Sequence, residues 1–134
     1  MSKRRDCEER FRERYGAPTP DAMLVVEREV IGANVGANGY TTVEQADMLA
    51  ERVALTADSS LLDIGSGRGW PALQLAAKTG CRAVLADIPV PALAAAVRRA
   101  DRQRLSGVSV IRATGAHLPF PTGSFDVVTH TDTL

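Results

Sequence analysis

The chain lacks an excess of charge of either sign: among its 134 residues, sixteen Lys and Arg are matched by sixteen Asp and Glu. No broad positive field is available to condense onto nucleic acid or an anionic lipid surface, so neither is expected as a partner. Cysteine is scarce. Cys7 and Cys81 stand far apart, with no His or Cys two to four residues from either. That spacing argues against a metal-ligand cluster and against a disulfide framework, and a reducing cytoplasm is the compartment it fits. Long hydrophobic runs are missing too. The longest, Ala92 to Val97, has six residues, where a bilayer span takes about 20. The first residues, Lys3, Arg4, Arg5, Asp6, Glu8 and Glu9, are charged with no apolar stretch behind them, which excludes a secretory signal. What remains, 45% hydrophobic and 24% charged, is the balance of a globular domain rather than of a disordered tail or fibre.

The N-terminal stretch Lys3 to Arg14 carries six basic and four acidic residues, with Cys7, Phe11 and Tyr15 as a thin apolar stripe at spacings of four. This pattern predicts a solvated helix. Ala17 to Pro20 ends it, and Thr19 followed by Pro20 predicts the cap and first residue of a second helix reaching Ile31. A loop rich in Gly and Asn runs from Gly32 to Tyr40. Thr41 or Thr42 then offers a capping box with Glu44 or Gln45, opening a third helix with Ala46, Leu49, Ala50 and Val53 on one face.

From Ser60 the rhythm changes. Short apolar runs at 61–64, 83–86, 108–112 and 125–129 alternate with helix-period segments at 71–78 and 91–105. The expected fold class is α/β: a parallel Rossmann-like sheet with crossover helices, preceded by N-terminal helices. The strands are continuous apolar runs, as expected where both sheet faces are covered. The organisation expected is a helical segment with its Gly/Asn loop over 1–59 and a ligand-binding half-domain over 60–134.

The stretch Leu61-Leu62-Asp63-Ile64-Gly65-Ser66-Gly67-Arg68-Gly69-Trp70-Pro71 reads as a first strand, a glycine turn and a helix start near Trp70 or Pro71. Such a turn aims backbone N–H groups at a ligand. A dinucleotide fingerprint requires glycine where Trp70 stands, which disfavours NAD and FAD. Asp87, at the tip of the second strand and 20 residues past Gly67, can accept both hydroxyls of a ribose. Asp63 offers a carboxylate to a cationic amino group. Ribose plus ammonium suggests an amino-acid nucleoside.

Together with the later Leu118-Pro119-Phe120 and Ser124-Phe125-Asp126-Val127-Val128, these motifs resemble the successive motifs of class I S-adenosylmethionine-dependent methyltransferases, particularly small-molecule enzymes similar to quinone-biosynthesis methylases. The resemblance covers roughly 61–131. It implies S-adenosylmethionine as cofactor and a small molecule as methyl acceptor. Gly65 and Gly67 would line the methionine part, Asp63 hold its amino group, and Asp87 with its neighbour Ile88 receive the ribose. Thr114, followed by Gly115, stands where the family commonly has an Asp for the adenine amino group. His130 and Thr131 match a methionine contact, and Tyr40 with Thr41 a loop closing over the cofactor. A base is needed only if the acceptor loses a proton, and His117, His130 and Asp132 are the candidates. Trp70 reads as a wedge at the helix start, Asp126 as structural, and Arg98, Arg99, Arg102 and Arg104 as a solvated helix face.

The family's sheet has seven strands, so the resemblance also implies an incomplete methyltransferase fold, truncated after its fourth strand. That strand's open edge is then expected to promote self-association and to leave the isolated chain unstable and poorly active. A nucleoside-binding module without catalysis is the alternative, and an NAD-dependent oxidoreductase a more distant one.

Overall fold

A computed structural model describes residues 3–37 and 39–131. Three helices, α1 (Lys3–Gly16), α2 (Asp21–Ile31) and α3 (Val43–Arg52), precede β1 (Ser60–Ile64). The chain continues as α4 (Ala72–Thr79), β2 (Arg82–Asp87), α5 (Val90–Arg102), β3 (Val108–Arg112) and β4 (Val127–Thr129). The sheet is wholly parallel in the order β3-β2-β1-β4. After β1 the chain steps outward through β2 to β3, then returns to the opposite side of β1. Strand order therefore reverses between β1 and β4, and in open parallel sheets the crevice at the carboxyl ends beside such a reversal receives ligands.

Alternation along the strands, carried across by the register, aligns Leu61 with Ala83 and Val127, and Asp63 with Leu85 and Thr129. Leu61, Ala83 and Leu85 form one core with Leu73, Leu75 and Ala76 of α4 and Ala96 and Ala100 of α5. On the other face Val128 is exposed, so the expected cover on both sides is incomplete there. α3 packs on α4 and α1 on α5. Leu75 is fully enclosed, and Leu75→Ala is expected to cost about 3 kcal/mol of stability by urea denaturation, since the lost contacts leave a cavity.

Local chemistry explains most element ends. Thr42 and Gln45 form the reciprocal capping box of α3. The cap of α2 is Pro20 in extended conformation, without a side-chain hydrogen bond, rather than Thr19. α4 begins at Ala72 with Pro71 as its cap. Asp126 behaves as a structural residue: its Oδ2 accepts from the Ser60 backbone N at 2.8 Å and from Ser60 Oγ at 3.0 Å, tying the start of β4 to the start of β1. Those bonds hold its carboxyl below the usual carboxylate range. Among the described residues, no helix is long and apolar enough to cross a membrane, and no group of three His, Cys, Asp or Glu side chains is arranged to hold a metal.

Candidate functional site

The glycine turn closes β1 by backbone bonds to the next strand: Gly65 N and Ser66 N both donate to the Ala86 carbonyl, at 2.8 and 3.2 Å. Asp87, the last residue of β2, completes the junction. One carboxylate oxygen accepts from Gly67 N at 2.7 Å and the other from Ile88 N at 2.7 Å. Each oxygen retains a lone pair, and both belong to a residue that faces a cavity of about 430 Å³ at the carboxyl ends of the strands. That volume lies in the range of small-molecule sites.

The floor of the cavity is Gly65, Ser66 and Gly67, one wall is Asp87, Ile88 and Pro89, and Thr131 adds a contact beyond β4. The Ser66 hydroxyl is buried and, among the described residues, has no hydrogen-bond partner. A buried polar atom without a partner is uncommon and needs a reason, and a polar ligand on this floor supplies one. A nucleoside with an amino-acid tail fits this donor set: carboxylate oxygens for hydroxyls, a hydroxyl and a glycine backbone for the tail.

Asp63 lies two residues before Gly65 but is not on the cavity wall. It is 1% exposed, and its Oδ1 accepts from Thr129 Oγ1 at 2.7 Å. Burial pushes its carboxyl up to about 7, the Thr129 hydrogen bond opposes this, and the nearby Asp87 charge adds to it. A carboxyl in a layer otherwise filled by Leu61 and Leu85 is the most perturbed acid described in the molecule.

The other expected site residues lie around this centre. Thr114 and Gly115 belong to a turn in which Thr114 bridges to His117 and the Thr114 hydroxyl accepts from Ala116 N at 3.1 Å. Gly115 lies against Ile64, the end of β1: a Cβ there would stand 3.0 Å from Ile64 Cγ2. His117 and His130 are exposed and absent from the cavity lining, although His130 adjoins Thr131, which lines it. Tyr40 is 82% exposed and also outside the lining. Its neighbour Thr41 instead receives the Trp70 indole N–H on its carbonyl at 2.8 Å. Trp70 thus anchors the N-terminal loop to the glycine turn. Asp132 lies outside the described residues.

The cavity's roof comes from α1, which has no buried residue and is the solvated helix expected of its charge. Cys7, Phe11 and Tyr15, the thin stripe of α1, line the cavity. Phe11 and Tyr15 stack with centroids 6.4 Å apart, and the Arg68 guanidinium sits 5.1 Å over the Tyr15 ring. The i, i+4 spacing was the available signal. Arg99 departs from the expected solvated face: it is only half-exposed and lies against Gly36 in the Gly/Asn loop. That loop is held by Glu27, whose Oε1 accepts from Val35 N at 3.1 Å and Ala37 N at 2.7 Å.

Gly67 is a position that favours glycine. Its φ is +55°, and a Cβ would stand 2.9 Å from the Tyr15 hydroxyl. Gly67→Ala is expected to lose about 1–2 kcal/mol from backbone strain and to displace Tyr15, detected as a lower melting temperature with altered tyrosine fluorescence.

Comparison with known proteins agrees with this architecture. Residues 61–134 match the family described as a methyltransferase domain. Demethylmenaquinone methyltransferase of Thermus thermophilus is 40% identical over 74 residues, which is 54% of this chain and 33% of that protein. Nocamycin O-methyltransferase of Saccharothrix syringae is 41% identical over 71 residues, 52% of this chain and 25% of that one. The chain thus spans a quarter to a third of the length of these relatives. Among solved structures, a SAM-dependent methyltransferase from Thiobacillus denitrificans in complex with S-adenosyl-L-homocysteine aligns over 87% of this chain and 45% of its own. Its TM-score is 0.65 at 22% identity, a likeness of fold. With more than half of its residues inside the matched region, the chain belongs to the methyltransferase-domain family.

Proposed function

We propose that this chain is the S-adenosylmethionine-binding part of a methyltransferase acting on a small molecule. The observation that carries the reading is the Asp87 carboxylate, held by the Gly67 and Ile88 amides at the rim of a 430 Å³ cavity beside the strand reversal. Its remaining lone pairs suit two adjacent ribose hydroxyls. The glycine turn and Ser66 receive the methionine tail, Asp63 supplies negative charge to its ammonium, and Thr114 and Gly115 accept the adenine edge. The cofactor, when bound, supplies a sulfonium methyl group activated for direct displacement. The chain's part is then alignment and exclusion of water by α1, with Phe11 and Tyr15 over the cavity. His117, His130 and Asp132 are the candidates to take a proton where the acceptor has one to lose.

Trp70 supports this reading over a nicotinamide dinucleotide. It stands where the fingerprint requires glycine, and its indole is fixed on the Thr41 carbonyl inside the cavity wall. A small-molecule acceptor is supported by the relatives, a demethylmenaquinone methyltransferase and a nocamycin O-methyltransferase. Self-association through the edge of β4 is part of the same proposal, since among the described residues that strand pairs on one side only. Calorimetric titration tests the cofactor: S-adenosylhomocysteine is expected to bind at one site with micromolar affinity and NAD to give no saturable heat. Equal binding of both, or of NAD alone, would overturn the reading.

A further inference from the structure

Asp63 poses a chemical problem that the turn beside it can solve. Its side chain shares the face of β1 that Leu61 uses for the core, and the register puts it level with Leu85 of β2 and Thr129 of β4. In parallel strands, level residues project to the same side, so the Thr129 hydroxyl is delivered to the Asp63 carboxyl by the sheet itself, at 2.7 Å. One hydroxyl is a meagre partner for a buried carboxylate, which ordinarily requires a cation or several donors. The charged group acting on it among the described residues is the Asp87 carboxylate, from β2, and this is repulsive. The one charged side chain of α4, Lys78, is at the helix's last turn and engaged by Glu51 and Asp47. Among the described residues Asp63 therefore has no compensating cation, and burial pushes its carboxyl up to about 7.

We infer that Thr129 is a positioning residue, fixing the Asp63 carboxyl so that docking of the cofactor's ammonium at the Gly65 turn drives the carboxyl's proton into solvent. The inference rests on the cofactor reading above. The step is an exchange of one cation for another: the O–H bond of the Asp63 acid breaks, its proton passes to buffer, and the carboxylate is balanced by the incoming ammonium. No direct contact is needed, because a charge acts across several ångströms in a buried environment, as Asp87 already does. The Thr129 hydrogen bond favours the ionised form. It therefore lowers the pH, raised in the first place by burial, above which the site is ready for its ligand.

The test is calorimetric titration of the 134-residue chain with S-adenosylhomocysteine at pH 6–8, in two buffers of different ionisation enthalpy, which counts protons exchanged on binding. Wild type is expected to release about half a proton per ligand near pH 7 and to bind about tenfold more tightly at pH 8 than at pH 6. Thr129→Val is expected to release closer to one proton at pH 7 and to move the affinity midpoint to higher pH. Thr129→Ser restores the wild-type profile, and Asp63→Asn removes the proton release and flattens the profile. Binding by wild type without proton release anywhere in this range overturns the inference and leaves the cofactor reading standing. An unchanged midpoint in Thr129→Val also overturns it. Absence of any binding by wild type overturns both.

Discussion

Replacing Asp87 by alanine is expected to weaken S-adenosylhomocysteine binding by about 100-fold, roughly 3 kcal/mol. Two effects add. The ribose loses the acceptor pair, and a hydrogen bond to a charged group is worth about 1.5–3 kcal/mol. The Gly67 and Ile88 amides, each bonded to this carboxylate at 2.7 Å, are also released, so the turn loses the brace that shapes the cavity floor. Asp87→Asn retains one acceptor oxygen for an amide but only part of the ribose site, and its loss is expected to be smaller. Titration of the three proteins under one set of conditions reads this directly. A change of less than threefold in Asp87→Ala would remove the ribose from this carboxylate.

The second large effect concerns stability rather than binding. The Asp63 carboxyl is raised from 3.8 to about 7 by burial, against the Thr129 hydrogen bond and with help from Asp87. A group whose folded value lies above its unfolded one binds more protons folded than unfolded between those two limits. Its contribution is therefore fully present below about pH 4 and is lost as pH rises to about 7. The span corresponds to about 4 kcal/mol. Asp126 runs the other way, since its carboxyl is held low by Ser60 and stabilises above the unfolded value, but it is exposed and bonded at the surface. Wild type is expected to lose stability between pH 4 and 7 by urea denaturation, and Asp63→Asn to lose that slope. A wild-type profile flat across this window would show that Asp63 is ionised at little cost.

The sequence could be read furthest where backbone geometry dominates. The glycine turn, the two flanking acids and the parallel strands follow from apolar runs and from positions that favour glycine, and these are local signals. α1 resisted the same reading because ten charged residues conceal a three-residue stripe. That Cys7, Phe11 and Tyr15 line a cavity, with Phe11 still exposed, depends on where α5 holds the helix. The bond between Asp63 and Thr129 spans 66 positions, and only the pairing of β4 beside β1 creates it. Arg99 looked like a surface cation on an arginine-rich helix, yet the Gly/Asn loop covers it, a contact between segments with no shared pattern. Thr19 is a good cap by composition, but Pro20 already supplies the extended conformation at the helix entrance.

The most direct measurement of the central claim is a crystal structure of this chain with S-adenosylhomocysteine. The ribose hydroxyls are expected on the Asp87 carboxylate and the methionine tail along Gly65, Ser66 and Gly67, beneath Phe11 and Tyr15 of α1. A ligand seated elsewhere, or one whose ribose leaves Asp87 bonded only to the Gly67 and Ile88 amides, would contradict it.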